Sequence, residues 1–154
     1  MAYWLIKSEP TEVSIDDVMA APKRTIAWFG VRNYQARNFM RDRMQPGDSV
    51  LFYHSSCAEP GVAGLAEVVS GAYPDHSQFD PASHYYDPKA TPETPRWVSV
   101  DLRGLEKTAL LPLKEMRTMG ALEDMMVLQK GSRLSITPIT PGQYRTVVAR
   151  LQQR

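Results

Sequence analysis

Between Trp28 and Arg43 the chain sets an indole, three carboxamides and four guanidinium groups within one short stretch. An aromatic face stacks on a nucleobase, a carboxamide matches a base edge, and a guanidinium fork grips phosphate. Trp28 stands two residues before Gly30 and opens what reads as a helix carrying Arg32, Asn33, Arg37 and Asn38. With the strand-like opening Tyr3 to Pro10, this points to a small reader of nucleic acid. Arg32, Arg37 and Asn38 would equally serve as helix-capping and solvated groups, the ordinary fate of exposed arginines. Trp4 and Trp97 read as core aromatics.

Other chemistries have weaker support. His54, Ser55 and Cys57 stand close together, but successive strand residues point to opposite faces, which argues against a nucleophile–base pair. Asp75, His76, His84 and Asp87 lack metal-ligand spacing and suit a loop. No glycine-rich phosphate loop or dinucleotide fingerprint occurs. The expectation is no catalytic residue, no metal and no cofactor.

Charge is uneven along the chain although the net value is only +1. Residues 23 to 43 hold six Lys or Arg against Asp42, a local balance of +5. Residues 59 to 93 hold six acids against Lys89, a balance of −5. A small basic patch fits a protein that touches a few phosphates, not one that coats duplex DNA. Cys57 is the only cysteine, so no internal disulfide forms and a reducing compartment is expected. The chain has no apolar run long enough for a membrane span and no secretory leader, so no membrane partner is expected.

The elements that must position these groups follow from periodicity and punctuation. Tyr3 to Lys7 alternates as a strand ended by Pro10. Ser14 with Asp17 caps a short helix. A helix over about 33–43 puts Ala36, Phe39 and Met40 on one side and Asn33, Arg37 and Arg41 beside it. The turn Gln45 to Asp48 stops it. Residues 49–53, 62–69, 97–102 and 133–137 read as strands, and 112–119 as a short helix. Residues 72–95, rich in Pro, Asp, Ser and His, read as a long irregular excursion. Thr140, Pro141 and Gln143 open the last helix with a capping box, followed by the stripe Tyr144, Val147, Val148 and Leu151. Five or six short strands without βαβ rhythm predict an α+β fold, a small curled sheet or barrel flanked by helices, in a single domain over 1–154.

Several of these segments together resemble the EVE domain. They are Tyr3 to Pro10, Trp28 to Met40, Leu51 to Gly64, Tyr73-Pro74-Asp75 and Arg133-Leu134-Ser135. The resemblance covers essentially the whole chain, and Gly-Val-Arg-Asn-Tyr-Gln-Ala-Arg-Asn and Phe-Tyr-His-Ser are long unbroken signatures. It implies a PUA-like small β-barrel flanked by helices, related to the YTH domain. It also implies a non-enzymatic module that captures a modified base, a modified cytosine such as 5-methylcytosine in DNA or a modified base in RNA, by flipping it into an aromatic pocket.

Transferred onto this chain, the resemblance implies a pocket between the end of the first strand, residues 28–38 and the His54 loop. Lys7 and Ser8 would face the nucleotide, and Trp28 would form a cage wall. Val31, Arg32, Asn33, Tyr34, Gln35, Arg37 and Asn38 would supply the second side. Asn33 and Gln35 suit a base edge there, and Arg32 and Arg37 suit phosphates. Tyr53, His54 and Ser55 would line the third side. Arg133 would flank the pocket with Gln129 and Lys130, which read equally as surface residues. The expected partner is DNA or RNA carrying a modified base, bound by a monomer in a bacterial cytoplasm or a eukaryotic nucleus. The alternative is a nucleotide, nucleoside or small-molecule sensor, or an enzyme, using the same pocket.

Overall fold

The computed structural model describes residues 1–153. Seven strands appear: β1 (Tyr3–Ser8), β2 (Thr25–Trp28), β3 (Ser49–His54), β4 (Gly61–Val68), β5 (Tyr73–Pro74), β6 (Val98–Pro112) and β7 (Ile136–Ile139). Four α-helices accompany them: α1 (Ile15–Ala20), α2 (Tyr34–Asp42), α3 (Leu113–Met116) and α4 (Pro141–Gln152). The class is α+β. The sheet runs β2-β6-β4-β3-β1-β7, with β5 added to β6. Among the described residues only β1 and β3 pair in parallel. Two details differ from the sequence reading. There are seven strands instead of five or six, and the ladder is open, with no pairing of β2 to β7 among the described residues.

The extra strands escaped notice for physical reasons. The two-residue β5 is too short to show a period, and none of the four residues of β2 is fully buried, so no inward face stands out. β6 continues ten residues past Leu102 because it pairs with β4 as far as Gly61–Pro112. Its exposed Arg103, Leu105, Glu106 and Lys107 hide the alternation that marks its first half.

Both faces of the central strands are covered. Trp4 and Ile6 point to one cluster with Ala36 and Met40 of α2, while Leu5 points to another with Val147 and Leu151 of α4. All of β1 from Trp4 to Ile6 is inaccessible, as period-2 side chains between two layers must be. Trp97 is buried as well. The capping boxes of Ser14 with Asp17 and of Thr140 with Gln143 both form.

Trp28 does not open a helix. It ends β2, and the chain runs without regular structure to Asn33, whose side chain accepts from Ala36 N–H and starts α2 at Tyr34. β7 begins at Ile136, three residues later than the pattern suggests, so Arg133 to Ser135 remain free to form a wall.

Candidate nucleic-acid interface

Where β1 ends, the surface opens into a cleft of 660 Å³. Lys7 and Ser8 supply its floor from β1. Trp28 and Phe29 come from the end of β2, and Val31, Arg32 and Asn33 lead from there to α2. Ser55 follows β3, Arg133 precedes β7, and Tyr85 reaches over from the irregular excursion. Topology explains the meeting of segments so distant in sequence, since β1 lies between β3 and β7. The volume lies in the usual range for small-ligand pockets.

The aromatic wall has more members than Trp28. Trp28 is half-buried and meets Phe52 edge-on, with centroids 5.8 Å apart. Phe29 is 51% exposed and stands edge-on to Tyr85 at 5.8 Å. Phe29 and Tyr85 were missed in the sequence reading. The only signal for Phe29 was its place beside Trp28 before Gly30, and Tyr85 sits in a stretch without periodicity. Gly30 shows why Tyr85 fits: it adopts φ +80°, and a Cβ there would lie 2.8 Å from the Tyr85 ring.

Arg32 is turned inward, contrary to the expectation that it grips phosphate. All five of its N–H groups find internal acceptors. Nε and Nη2 donate to Tyr85 C=O, Nη1 to Val31 C=O and to Asp75 Oδ2, and Nη2 also to Ser77 Oγ. Asp75 is fully buried and accepts four bonds: Gly30 N–H and Arg32 on Oδ2, and the Ser77 N–H and hydroxyl on Oδ1. Burial would raise this carboxyl, but the bonds from Ser77, Gly30 and Arg32 outweigh it and hold it below the ordinary carboxylate value. Gln78 fastens the same segment by donating to Asp75 and Trp97 C=O and accepting from Arg96 and Trp97 N–H. The acidic excursion is therefore a strap latched onto the cleft wall.

The structure brings Lys7, Ser8, Trp28, Val31, Arg32, Asn33, Ser55 and Arg133 around one cleft. Tyr34, Gln35, Arg37, Asn38 and His54 lie outside it. Because α2 starts at Tyr34, its side chains turn to other neighbours. Tyr34 stacks on Trp97 at 4.8 Å, and Arg37 lies over Tyr34 while donating to Arg96 C=O and Asn38. Gln35 is exposed on α2. His54 Nε2 accepts from Ile15 N–H at the start of α1. Desolvation by burial lowers the His54 pKa, in keeping with a neutral ring that accepts.

Within the cleft, Ser8 donates its hydroxyl to Val13 C=O. The Lys7 ammonium has one hydrogen-bond partner among the described residues, Ser132 C=O at 3.4 Å, and burial lowers its pKa. Arg133 is exposed and has no ion-pair partner among the described residues. Glu9 and Glu12 form the acidic part of the rim. Tyr53 belongs instead to a second cleft of 610 Å³ beyond Lys7, with Ser55, Ser56 and Ser132 shared between the two. Among the described residues no cluster of three or more His, Cys, Asp or Glu side chains could hold a metal.

Comparison with known proteins places these features. The EVE domain model matches residues 2–150. Human thymocyte nuclear protein 1 is 40% identical over 96% of this chain and 73% of its own length. A crystal structure from Pseudomonas syringae is 47% identical with a TM-score of 0.92, covering 97% of this chain and 99% of that one. Human THYN1 in complex with 5-methylcytosine-containing DNA is 40% identical with a TM-score of 0.92, covering 100% of this chain and 99% of that one.

Proposed function

This chain belongs to the EVE domain family, and from that premise we propose that it is a non-catalytic module binding DNA that carries a modified cytosine, with the modified base held in the 660 Å³ cleft. The observation that carries this reading is the human relative of the same fold in complex with 5-methylcytosine-containing DNA.

The cleft chemistry supports it. Trp28, Phe29 and Tyr85 offer ring faces and edges to a base, and a C5-methyl adds apolar surface against them. That methyl contributes only about 1 kcal/mol by burial, so polar contacts must add to discrimination. Glu9 and Glu12 provide acceptors suited to the exocyclic amine of cytosine. Lys7 and Arg133 provide cations for the flanking phosphates. In a duplex the base must leave the stack, at a cost of a few kcal/mol. Single-stranded DNA avoids that cost, and the same cleft would admit a modified base in RNA.

The test is binding of labelled single-stranded and duplex oligonucleotides bearing cytosine, 5-methylcytosine or 5-hydroxymethylcytosine, at low and raised salt. Wild type is expected to prefer a modified form and to weaken as salt rises. Phe29→Ala, on an exposed ring, should lose about tenfold or more, the effect of one lost base stack. Trp28→Ala should abolish the preference. Equal affinity for modified and unmodified DNA would sink the reading. Binding of the free nucleoside at full strength and without salt dependence would favour a nucleoside sensor instead.

A further inference from the structure

The second cleft differs from the first in its charge. Its lining holds Lys7, Arg117 and Lys130 and no Asp or Glu, whereas the first carries Glu9 and Glu12. Arg117 and Lys130 are exposed and have no ion-pair partner among the described residues. Leu113, Val127 and Leu128 give it an apolar side. The two clefts meet at Lys7 and Ser132. At that junction, among the described residues, the Lys7 ammonium has only the long bond to Ser132 C=O, and Ser132 Oγ is buried with no partner. A half-buried cation without a counter-charge loses hydration and regains little, so an anion placed there would be favoured.

Resting on the proposed reading of a modified base, we propose that the second cleft is the subsite for the adjoining nucleotide. The phosphate linking the two nucleotides sits at Lys7. The neighbouring nucleoside lies against Leu113, Val127 and Leu128, with Arg117 and Lys130 on its outer phosphate. The recognised unit is then a dinucleotide step, not an isolated base. Two adjoining clefts of similar volume, 660 and 610 Å³, that share Lys7 and Ser132 suit two units of one strand.

The experiment is competition against a labelled methylated oligonucleotide. The competitors are 5-methyldeoxycytidine monophosphate and two dinucleotides, with the neighbour on the 5′ or the 3′ side. One dinucleotide should compete about tenfold better than the monophosphate, the gain of one charge-assisted contact. The double variant Arg117→Ala with Lys130→Ala should lose that gain and still bind the monophosphate as wild type does. Lys130→Glu should weaken the dinucleotide further. Both residues are exposed, so unchanged Tm and far-UV circular dichroism are expected to accompany these losses. Dinucleotides no better than the monophosphate, or a gain that survives the double variant, would overturn the subsite and leave the single-base reading standing. Failure of the long methylated oligonucleotide itself to bind would remove both.

Discussion

The basic residues between 23 and 43 and the other basic residues lining the two clefts are chemically alike but differ in what they hold. In the first group Arg32 is bonded through all five donors, and Arg37 donates to Arg96 C=O and Asn38. Arg41 pairs with Asp42, and Arg43 lies over the Trp4 and Phe39 rings at 5.5 and 5.4 Å. In the second group Lys7, Arg117, Lys130 and Arg133 come from three separate parts of the chain and have no ion-pair partner among the described residues. Arg32, Arg37, Arg41 and Arg43 have found local or strap partners, while Lys23 and Arg24 are exposed. The positive field over the clefts is assembled by topology, where β7 returns beside β1 and brings the 129–133 loop to Lys7.

This contrast can be broken most forcefully at the latch. Asp75→Ala leaves Arg32 without its buried counter-charge and removes four hydrogen bonds, so a loss of about 3 kcal/mol in urea unfolding is expected. Arg41→Ala, which breaks only an exposed pair, should leave the urea midpoint close to that of wild type. A change of similar size in both would mean that Asp75 does not hold the strap.

Binding should reverse the order. Arg133→Ala should weaken DNA binding across sequences and reduce the salt slope by about 1, with Tm unchanged. Arg41→Ala should leave the slope as it is. Identical slopes in the two variants would erase the distinction between paired and cleft-facing cations.

The smallest effect is in pH. His54 has a depressed folded pKa, so its contribution to stability is present above its unfolded value of 6.5 and is lost as pH falls through the folded one. Asp75 follows the same sign in a lower window, below its unfolded value of 3.8. Tm should therefore dip slightly between about pH 7 and about pH 5, ahead of the steeper acid loss, and His54→Gln should flatten that dip. A dip that persists in His54→Gln would assign the early titration elsewhere.

The helices were legible wherever capping chemistry and a 3.6-residue stripe coincided, at Ser14, at Ala36 to Met40 and at Thr140. The central strands were legible wherever alternation met two buried faces, in β1, β3 and β4. Local pattern failed at β2, β5 and the second half of β6, where pairing partners hold short or charged segments. At the cleft, Lys7, Ser8, Trp28 and Val31 to Asn33 were legible from residue type and family signature. Tyr85, Phe29 and the Asp75 latch were not, since nothing periodic marks a strap that packs through one carboxylate and one ring.

Residue types, caps and periodicity by themselves determined the α+β class, the helix positions and the presence of groups suited to a base and its phosphates. Only the tertiary structure decided which cations bond inward and which face the clefts. Local sequence sets the conformation each segment prefers, but a charge is free or neutralised according to what lies across space from it. For Arg32 that partner is Asp75, 43 residues away in the chain and 3.0 Å away in the fold.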